Sequence, residues 1–180
     1  MRVAVSIGSN LGDRLAALTH AVAALAGMPG ISEVRVSPVY ETDPVGGVEQ
    51  PDFLNVVAIA DHVGVDAAAV ATDLLNLART IEADLARVRT VRWGPRTVDV
   101  DVLAVGDYLS DDPELTVPHP RIAERAFVLV PWVDVDPEFP IPGHGTVAQL
   151  LSRLSPEEVQ GVRRTPAIIP VGPSPFTVDE

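Results

Sequence analysis

The chain has 180 residues, of which 47% are hydrophobic and 21% are charged, and its formal net charge at pH 7 is −12. This composition predicts one globular domain with a hydrophobic core, and not a disordered or fibrous chain. The sequence has no cysteine and no lysine, since all 13 basic residues are arginine. Disulfides, thiolate chemistry, a Walker A loop and Schiff-base catalysis are therefore excluded.

The charge balance and the N-terminus bear on partners and location. A strongly acidic chain lacks the broad basic face that binds nucleic-acid phosphates, so we expect no nucleic-acid partner. The first ten residues lack the pattern of a signal peptide. No stretch reaches the roughly 20 apolar residues of a membrane span. We expect a cytoplasmic monomer that does not bind a membrane.

The first half of the chain shows alternating strand and helix patterns. Residues 2–8 are typical of a buried strand, and Asn10 is the expected N-cap of a helix that runs to about Gly27. The core-facing residues predicted for this helix recur every three or four positions: Leu11, Leu15, Leu18, Val22 and Leu25. Residues 31–41 alternate as a second strand, in which Pro38 indicates a sheet edge or a bulge.

A third strand is predicted at residues 53–63, and Asp66 begins a second, alanine-rich helix. Residues 97–105 are typical of a fourth strand. The order β-α-β-β-α-β is that of ferredoxin-like α+β folds. We therefore expect an antiparallel sheet with helices on one face.

The remainder of the chain is rich in proline. Residues 111–155 are predicted to be loops and small helices wrapped on the core. The sequence contains no internal repeat and no linker, so residues 1–155 are expected to form a single domain. The C-terminal part of the chain is thus expected to be a loop-rich extension, and residues 156–180 are expected to be a weakly ordered tail.

The stretch RVRTVRWGPRTVDVD contains the main candidate for chemistry. Asp99 and Asp101 are two residues apart on a predicted strand, so their side chains share one face. Two adjacent carboxylates are tolerated when solvent screens them, or when Mg²⁺ lies between them and a polyphosphate. A solvated strand face and a metal site are thus both consistent with the pair alone.

Four arginines precede this pair within ten positions: Arg87, Arg89, Arg92 and Arg96. A guanidinium carries a planar set of donors that suits phosphate oxygens and stays charged at any working pH. Arginines next to a carboxylate pair indicate phosphoryl transfer, which consists largely of positioning and charge neutralisation. The alternative is a solvated loop with local ion pairs. Trp93 could stack on a flat ring or belong to the core.

Two further stretches carry candidate ligands. His119 lies between two prolines, and Arg121 and Arg125 follow it, which makes a second phosphate-binding segment plausible beside a structural role for the histidine. Phe53 and Asn55 share a strand face, and an aromatic ring beside an amide suits a flat heterocycle with hydrogen-bonding edges. Phe53 is otherwise a core residue.

Four segments of the chain are SIGSNLGDR, YETDPVGGVEQPDFLN, RVRTVRWGPRTVDVDVL and LTVPHPRIAERAFVLVP. Together they resemble the 6-hydroxymethyl-7,8-dihydropterin pyrophosphokinase family of folate biosynthesis, over about residues 3–140. The resemblance implies a ferredoxin-like α+β core. It also implies an ATP-dependent reaction in which the pterin hydroxymethyl oxygen attacks the β-phosphorus, so that pyrophosphate moves to the pterin and AMP leaves.

The resemblance further implies a role for each matching position. It implies that Asp99 and Asp101 bind two Mg²⁺ ions, and that these residues, Arg87 and Arg96 are catalytic. The residues implied around ATP are Glu82, Arg89, Arg92, Trp93, Arg96, Thr116, His119 and Arg125. The residues implied around the pterin are Thr42, Val45, Phe53, Asn55, Trp93 and Phe127.

Three positions differ from the family pattern. Asp43 stands where proline is frequent, Phe53 replaces a tyrosine, and Glu114 replaces a basic residue, which removes one expected ATP contact. Two other functions remain as alternatives. One is a ferredoxin-like module that binds a nucleotide or single-stranded RNA without catalysis. The other is a metal-dependent nuclease, which needs more acidic ligands than the sequence pattern places beside Asp99 and Asp101 and would cleave phosphodiesters.

Overall fold

The computed structural model describes residues 1–44, 50–85 and 97–172. It confirms the α+β class with an antiparallel sheet. The strands of the main sheet are β1 (Arg2–Ser9), β2 (Ile31–Val36), β3 (Tyr40–Thr42), β4 (Phe53–His62), β5 (Asp99–Val105) and β10 (Val162–Arg164). The helices are α1 (Arg14–Ala26), α2 (Ala67–Asp84), α3 (Ala126–Val135), α4 (Val147–Leu151) and α5 (Pro156–Gln160).

Two small hairpins lie outside the main sheet. They are formed by β6 (Ser110–Asp112) with β7 (Leu115–Val117), and by β8 (Pro140–Ile141) with β9 (Gly145–Thr146). A 3₁₀ turn at Ile122–Glu124 leads into α3. A bilayer would need a longer and more apolar helix than any found in the described part of the chain.

The strand order places β1 at the centre of the site described below. The order across the sheet is β10-β3-β4-β1-β5, and β2 pairs with β4 farther along that strand. The second predicted strand is thus divided near Pro38 into β2 and β3, which both pair with β4. Between them the Ser37 hydroxyl accepts a hydrogen bond from the Val57 amide, which keeps the connection on the sheet.

Local signals account for the two long helices. The carboxylate of Asp13 caps α1 by accepting a hydrogen bond from the Ala16 amide, and Asp66 caps α2 by accepting from the Ala68 and Ala69 amides. The expected cap at Asn10 is wrong. Its side chain is buried and donates to the Gln50 side chain and the Pro51 carbonyl instead.

The later start of α1 also changes its buried face. Leu18, Val22 and Leu25 are buried as predicted, but Leu11 and Leu15 are more than a third exposed. Leu11 precedes the helix, and Leu15 lies in its first turn, beyond the area where α1 covers the sheet. The predicted spacing of core-facing residues is therefore correct only for the part of α1 that packs against the sheet.

The sheet is covered on both faces, which contradicts the prediction of helices on one face. The first face of the sheet packs on α1 and α2 through residues such as Val5 and Val56. The second face packs on α3 and α4 through residues such as Val57 and Leu103. The α3 segment is apolar except at Asp134 and contains Pro131, so it lacks the amphipathic period by which a helix is predicted.

The segment from residue 156 differs from the expected weakly ordered tail. Residues Val162–Arg164 form β10, which pairs with β3 at the edge of the main sheet. Ile169 is buried in the core on the α1 and α2 face. Residues up to 172 therefore contribute to the sheet and the core, and residues 173–180 lie outside the described chain.

Candidate active site

A row of residues across three strands defines the candidate site. Gly8 of β1 pairs with Asn55 of β4 on one side and with Asp99 of β5 on the other. Directly paired residues of antiparallel strands project from the same face. Asn55 and Asp99 therefore flank Gly8 on the face of the sheet that carries α3.

Gly8 places no side chain at the centre of this row, and the Asn55 side chain extends over it. A Cβ atom at this position would lie 2.6 Å from the Asn55 side-chain oxygen and 3.8 Å from a Phe53 ring carbon. Only a residue without a side chain fits there, because contacts below about 3 Å force neighbouring atoms to move. Sequence reasoning missed Gly8, although a glycine inside an otherwise buried strand is a known signal of close approach.

The two aspartates of β5 lie where the strand geometry predicted. Val98 and Val102 are buried on the opposite face, so Asp99 and Asp101 share the α3 face. Asp101 pairs with Ser6 of β1, next to the Gly8 row. Both residues are partly exposed.

Arg125 and His119 surround Asp101. The Arg125 guanidinium donates a hydrogen bond of 2.6 Å to Asp101 Oδ2, and the side chains of Arg125 and Asp101 are 13% and 29% exposed. His119 Nε2 lies 3.9 Å from the same oxygen. The predicted second phosphate-binding segment is therefore adjacent to the carboxylate pair, with Arg125 at the residue before α3.

The environment of His119 favours a neutral imidazole. Burial is the main cause that lowers its pKa, and Arg125 lowers it further, while Asp101 acts in the opposite direction. His119 Nδ1 accepts a hydrogen bond from the Arg121 amide. The proton of the neutral ring therefore lies on Nε2, the nitrogen nearer to Asp101, and His119 offers a donor without adding a charge.

Glu82 and Thr116 have structural contacts in addition to any ligand role. One Glu82 carboxylate oxygen accepts a hydrogen bond of 3.3 Å from the Val100 amide, which ties α2 to β5 between the two aspartates. The Thr116 hydroxyl donates to the Asp112 carbonyl within the β6 and β7 hairpin. Glu114, the departure from the family pattern, is paired at 3.0 Å with Arg79 of α2.

The aromatic side of the site is built around Asn55. The Asn55 amide donates a hydrogen bond of 2.7 Å to the Thr42 hydroxyl, and both side chains are buried. Phe53 pairs directly with Thr42 at the first position of β4. Phe127 lies in the first turn of α3, where the Arg125 guanidinium is 5.6 Å from its ring centroid. Thr42 thus fixes the orientation of the Asn55 amide.

Several predicted site residues lie outside the described part of the chain. They are Val45, Arg87, Arg89, Arg92, Trp93 and Arg96. Within residues 1–44, 50–85 and 97–172, no group of three or more acidic or histidine side chains forms a metal cluster. The described site contains two carboxylates, one paired arginine and one neutral histidine beside an aromatic and amide subsite.

Comparison with known proteins identifies the family. The family model for 7,8-dihydro-6-hydroxymethylpterin-pyrophosphokinase matches residues 4–137, which include every strand and helix of the site. The chain belongs to this family.

Curated relatives match nearly the whole chain. Proteins named 2-amino-4-hydroxy-6-hydroxymethyldihydropteridine pyrophosphokinase are 46% identical in Mycobacterium leprae and 41% identical in Mycobacterium tuberculosis. These matches cover 91% and 90% of this chain, and 88% of each relative. The protein of that name from Methylorubrum extorquens is 42% identical, over 89% of this chain and 98% of the relative.

Solved structures support the fold alone. A Plasmodium falciparum HPPK-DHPS structure with pterin and p-hydroxybenzoate matches with a TM-score of 0.62 at 12% identity. The match covers 91% of this chain but 44% of the Plasmodium chain, so this chain spans less than half of that protein. At such low identity the likeness concerns the arrangement of strands and helices.

Proposed function

We propose that this protein transfers pyrophosphate from ATP to the hydroxymethyl group of 6-hydroxymethyl-7,8-dihydropterin in folate biosynthesis, giving AMP and the pterin diphosphate. The observation that carries the proposal is the Gly8 row, in which Asn55 and Asp99 lie on either side of a residue without a side chain. An amide suited to a heterocycle and a carboxylate suited to a metal-bound phosphate are thus neighbours, as transfer between the two substrates requires.

Asp99 and Asp101 are the proposed ligands of two Mg²⁺ ions. The donor set fits, because Mg²⁺ prefers oxygen ligands and is commonly held by one or two carboxylates together with substrate phosphates. When bound, Mg²⁺ would act as a Lewis acid and as a template for the polyphosphate.

Arg125 and His119 are proposed to bind the ATP phosphates. In the described structure Arg125 neutralises Asp101. A triphosphate placed beside the carboxylates would present more negative charge to this guanidinium, whose planar donors suit phosphate oxygens. The neutral His119 would donate one hydrogen bond. Glu82 and Thr116 are proposed to lie near the nucleotide, together with Arg89, Arg92, Arg96 and Trp93.

The pterin subsite is proposed at Asn55, between the rings of Phe53 and Phe127. A buried amide held by Thr42 offers an oriented donor and acceptor to the edge of the ring. Such preorganisation lowers the entropy lost on binding. Thr42 and Val45 would add backbone contacts, and Trp93 would add a further aromatic ring.

The chemistry is an in-line displacement at the β-phosphorus. A bond forms between the pterin hydroxymethyl oxygen and this phosphorus, and the bond to the oxygen that bridges the α- and β-phosphates breaks. AMP leaves with that oxygen, and the hydroxyl proton passes to solvent. The protein contributes positioning and charge neutralisation, in which Arg87 and Arg96 are the proposed catalytic arginines.

An assay of the nucleotide product tests the proposal. Incubation with ATP, Mg²⁺ and the hydroxymethyl dihydropterin should release AMP in step with the pterin diphosphate. Asp99→Ala and Asp101→Ala should each lower kcat by about 100-fold or more, because each removes charge that acts on the transferred group. The exposed Asp73 of α2 provides the control, since Asp73→Ala removes the same charge away from the site.

Calorimetry distinguishes catalysis from simple nucleotide binding. The proposal requires ATP binding to weaken in EDTA, and a binding module would retain its affinity. Release of ADP in place of AMP would contradict the proposal. Near-normal turnover in both aspartate variants would remove the metal-ligand assignment.

A further inference from the structure

Arg163, in the last strand of the sheet, joins both ends of the segment between β3 and β4. Its guanidinium donates a hydrogen bond of 2.7 Å to Asp43 and one of 2.9 Å to Asp52. These carboxylates are 120 and 111 residues away along the chain. The Asp43 hydrogen bond is the main cause that raises the pKa of Arg163, so the side chain is a permanent cation between two acids.

The two carboxylates are adjacent to the pterin subsite. Thr42 pairs directly with Phe53. Asp43 is the residue after Thr42, and Asp52 is the residue before Phe53. Thr42 in turn accepts the hydrogen bond that orients Asn55. A displacement of Asp43 relative to Asp52 would therefore move the aromatic ring and the amide of the subsite together.

The backbone of the C-terminal segment supports the same contact. Val162 pairs with Thr42, and the Asp43 amide donates a hydrogen bond of 3.2 Å to the Gly161 carbonyl. A Cβ atom at Gly161 would lie 3.1 Å from the Asp43 carboxylate, so glycine allows the close approach. The C-terminal strand is thus built against β3 at the point where the segment begins.

A second arginine holds the other side of this segment. Arg14 of α1 donates hydrogen bonds of 2.8 Å to the Asp52 carbonyl and 3.1 Å to the Glu41 carboxylate. Asp52 is therefore fixed by its backbone to α1 and by its side chain to β10. Arg163 completes this arrangement, because it alone among these contacts joins Asp43 and Asp52 directly.

We propose that Arg163 is a positioning residue for the pterin, acting through Asp43 and Asp52 on Thr42 and Phe53. This inference rests on the proposed function and deepens it, because it extends the pterin subsite to the C-terminal strand. It also gives a role to Asp43. The aspartate is the partner of an arginine that comes from β10.

Loss of Arg163 should change the geometry of the pterin subsite more than the stability of the protein. Arg163 and both of its partners are substantially exposed, and exposed ion pairs contribute little to the free energy of unfolding. Binding sites, in contrast, depend on small displacements of the groups that contact the ligand. The pterin KM is therefore the quantity that should respond to loss of Arg163.

The experiment compares Arg163→Gln with Arg163→Lys and with Arg153→Gln. Arg153 is an exposed arginine after α4, so its replacement makes the same change of charge away from the segment. The pterin KM, the ATP KM, kcat and Tm are measured for each variant by AMP release and thermal unfolding. Arg163→Gln should raise the pterin KM by about three- to tenfold, the factor that two exposed ion pairs can supply together.

The other measurements separate positioning from charge and folding. The ATP KM should stay at the wild-type value, because the contact does not affect the carboxylate pair. Tm should fall by at most about 5 °C, because two exposed ion pairs contribute little to stability. Arg163→Lys should recover part of the affinity, since one ammonium replaces the planar guanidinium. In an Asp43→Asn, Asp52→Asn background, Arg163→Gln should add no further change.

An unchanged pterin KM in Arg163→Gln would overturn the inference, and so would an equal rise in Arg153→Gln or in the ATP KM. Failure of the proposed function would be seen differently, as absence of AMP release by the wild-type protein. A wild-type enzyme that releases AMP, with a variant that binds pterin normally, would refute only the role of Arg163.

Discussion

Replacing Gly8 with alanine adds one methyl group, and we expect it to lower Tm and to raise the pterin KM. The added Cβ would lie 2.6 Å from the Asn55 side-chain oxygen and 3.7 Å from Asn55 Cγ. Asn55 cannot yield easily, because its side chain is 4% exposed and its amide is hydrogen bonded to Thr42. The overlap must therefore be relieved by moving the amide or by separating β1 from β4.

The cost follows from the size of this overlap. Ordinary contacts begin near 3.4 Å, so the methyl group intrudes by several tenths of an ångström into a packed region. Overpacking of this kind costs about 2 kcal/mol of unfolding free energy. For a chain of this length that cost lowers Tm by about 4 to 8 °C. Misplacement of one hydrogen-bonding amide should also raise the pterin KM by about tenfold.

Thermal unfolding and steady-state AMP release measure the two effects. Gly172→Ala is the matched control, because its Cβ would have no neighbour within 4 Å. The control should leave Tm and the pterin KM unchanged. The ATP KM of Gly8→Ala should change less than its pterin KM, since the intruding atom is directed at Asn55.

A double-mutant cycle decides whether the contact with Asn55 is the cause. In an Asn55→Ala background the side-chain oxygen that the added Cβ would overlap is absent. Gly8→Ala should therefore lower the free energy of unfolding much less in that background. An equal loss of Tm in the two backgrounds would refute the reasoning. A pterin KM that Gly8→Ala leaves unchanged would refute the assignment of this row to the pterin.

Two further predictions concern the layer formed by α3. Tyr40 of β3 donates a hydrogen bond of 2.7 Å to Asp134, and burial with this carboxylate raises its pKa to about 12. The unfolded chain ionises this tyrosine near pH 10, so wild-type stability should fall as the pH rises from about 10 to about 12. Tyr40→Phe should abolish that loss in pH-dependent denaturant unfolding. Leu129 of α3 is fully buried, so Leu129→Ala should cost about 2–5 kcal/mol in the same assay, and a smaller loss would contradict an integral second layer.

The sequence alone determined most of the local structure. The helix beginning at Asp66 and the buried strands at residues 2–8 and 53–63 follow from apolar spacing and capping residues, which act over a few positions. The shared face of Asp99 and Asp101 follows from the two-residue period of a strand. These predictions were correct because the local structure depends on residues that are only a few positions apart, and the sequence pattern covers the same few positions.

The predictions that failed concerned segments whose structure depends on contacts with residues distant in the sequence. Asn10 looked like a helix cap, but its amide is used by residues 40 positions away. The α3 segment lacked a helical period because nearly all of its residues are apolar, whether they face the sheet or not. The C-terminal residues looked like a tail, since nothing local shows that β3 leaves a free edge for β10.

For the candidate site too, the sequence predicted some features and only the tertiary structure showed the others. The sequence supplied the carboxylate pair, the arginines and the segments shared with the family. Only the tertiary structure showed that Gly8 separates Asn55 from Asp99, that Arg125 neutralises Asp101, and that Arg163 joins Asp43 to Asp52. These contacts connect residues that are 24 to 120 positions apart. Such pairings depend on strand order and register, which a period along one segment does not specify.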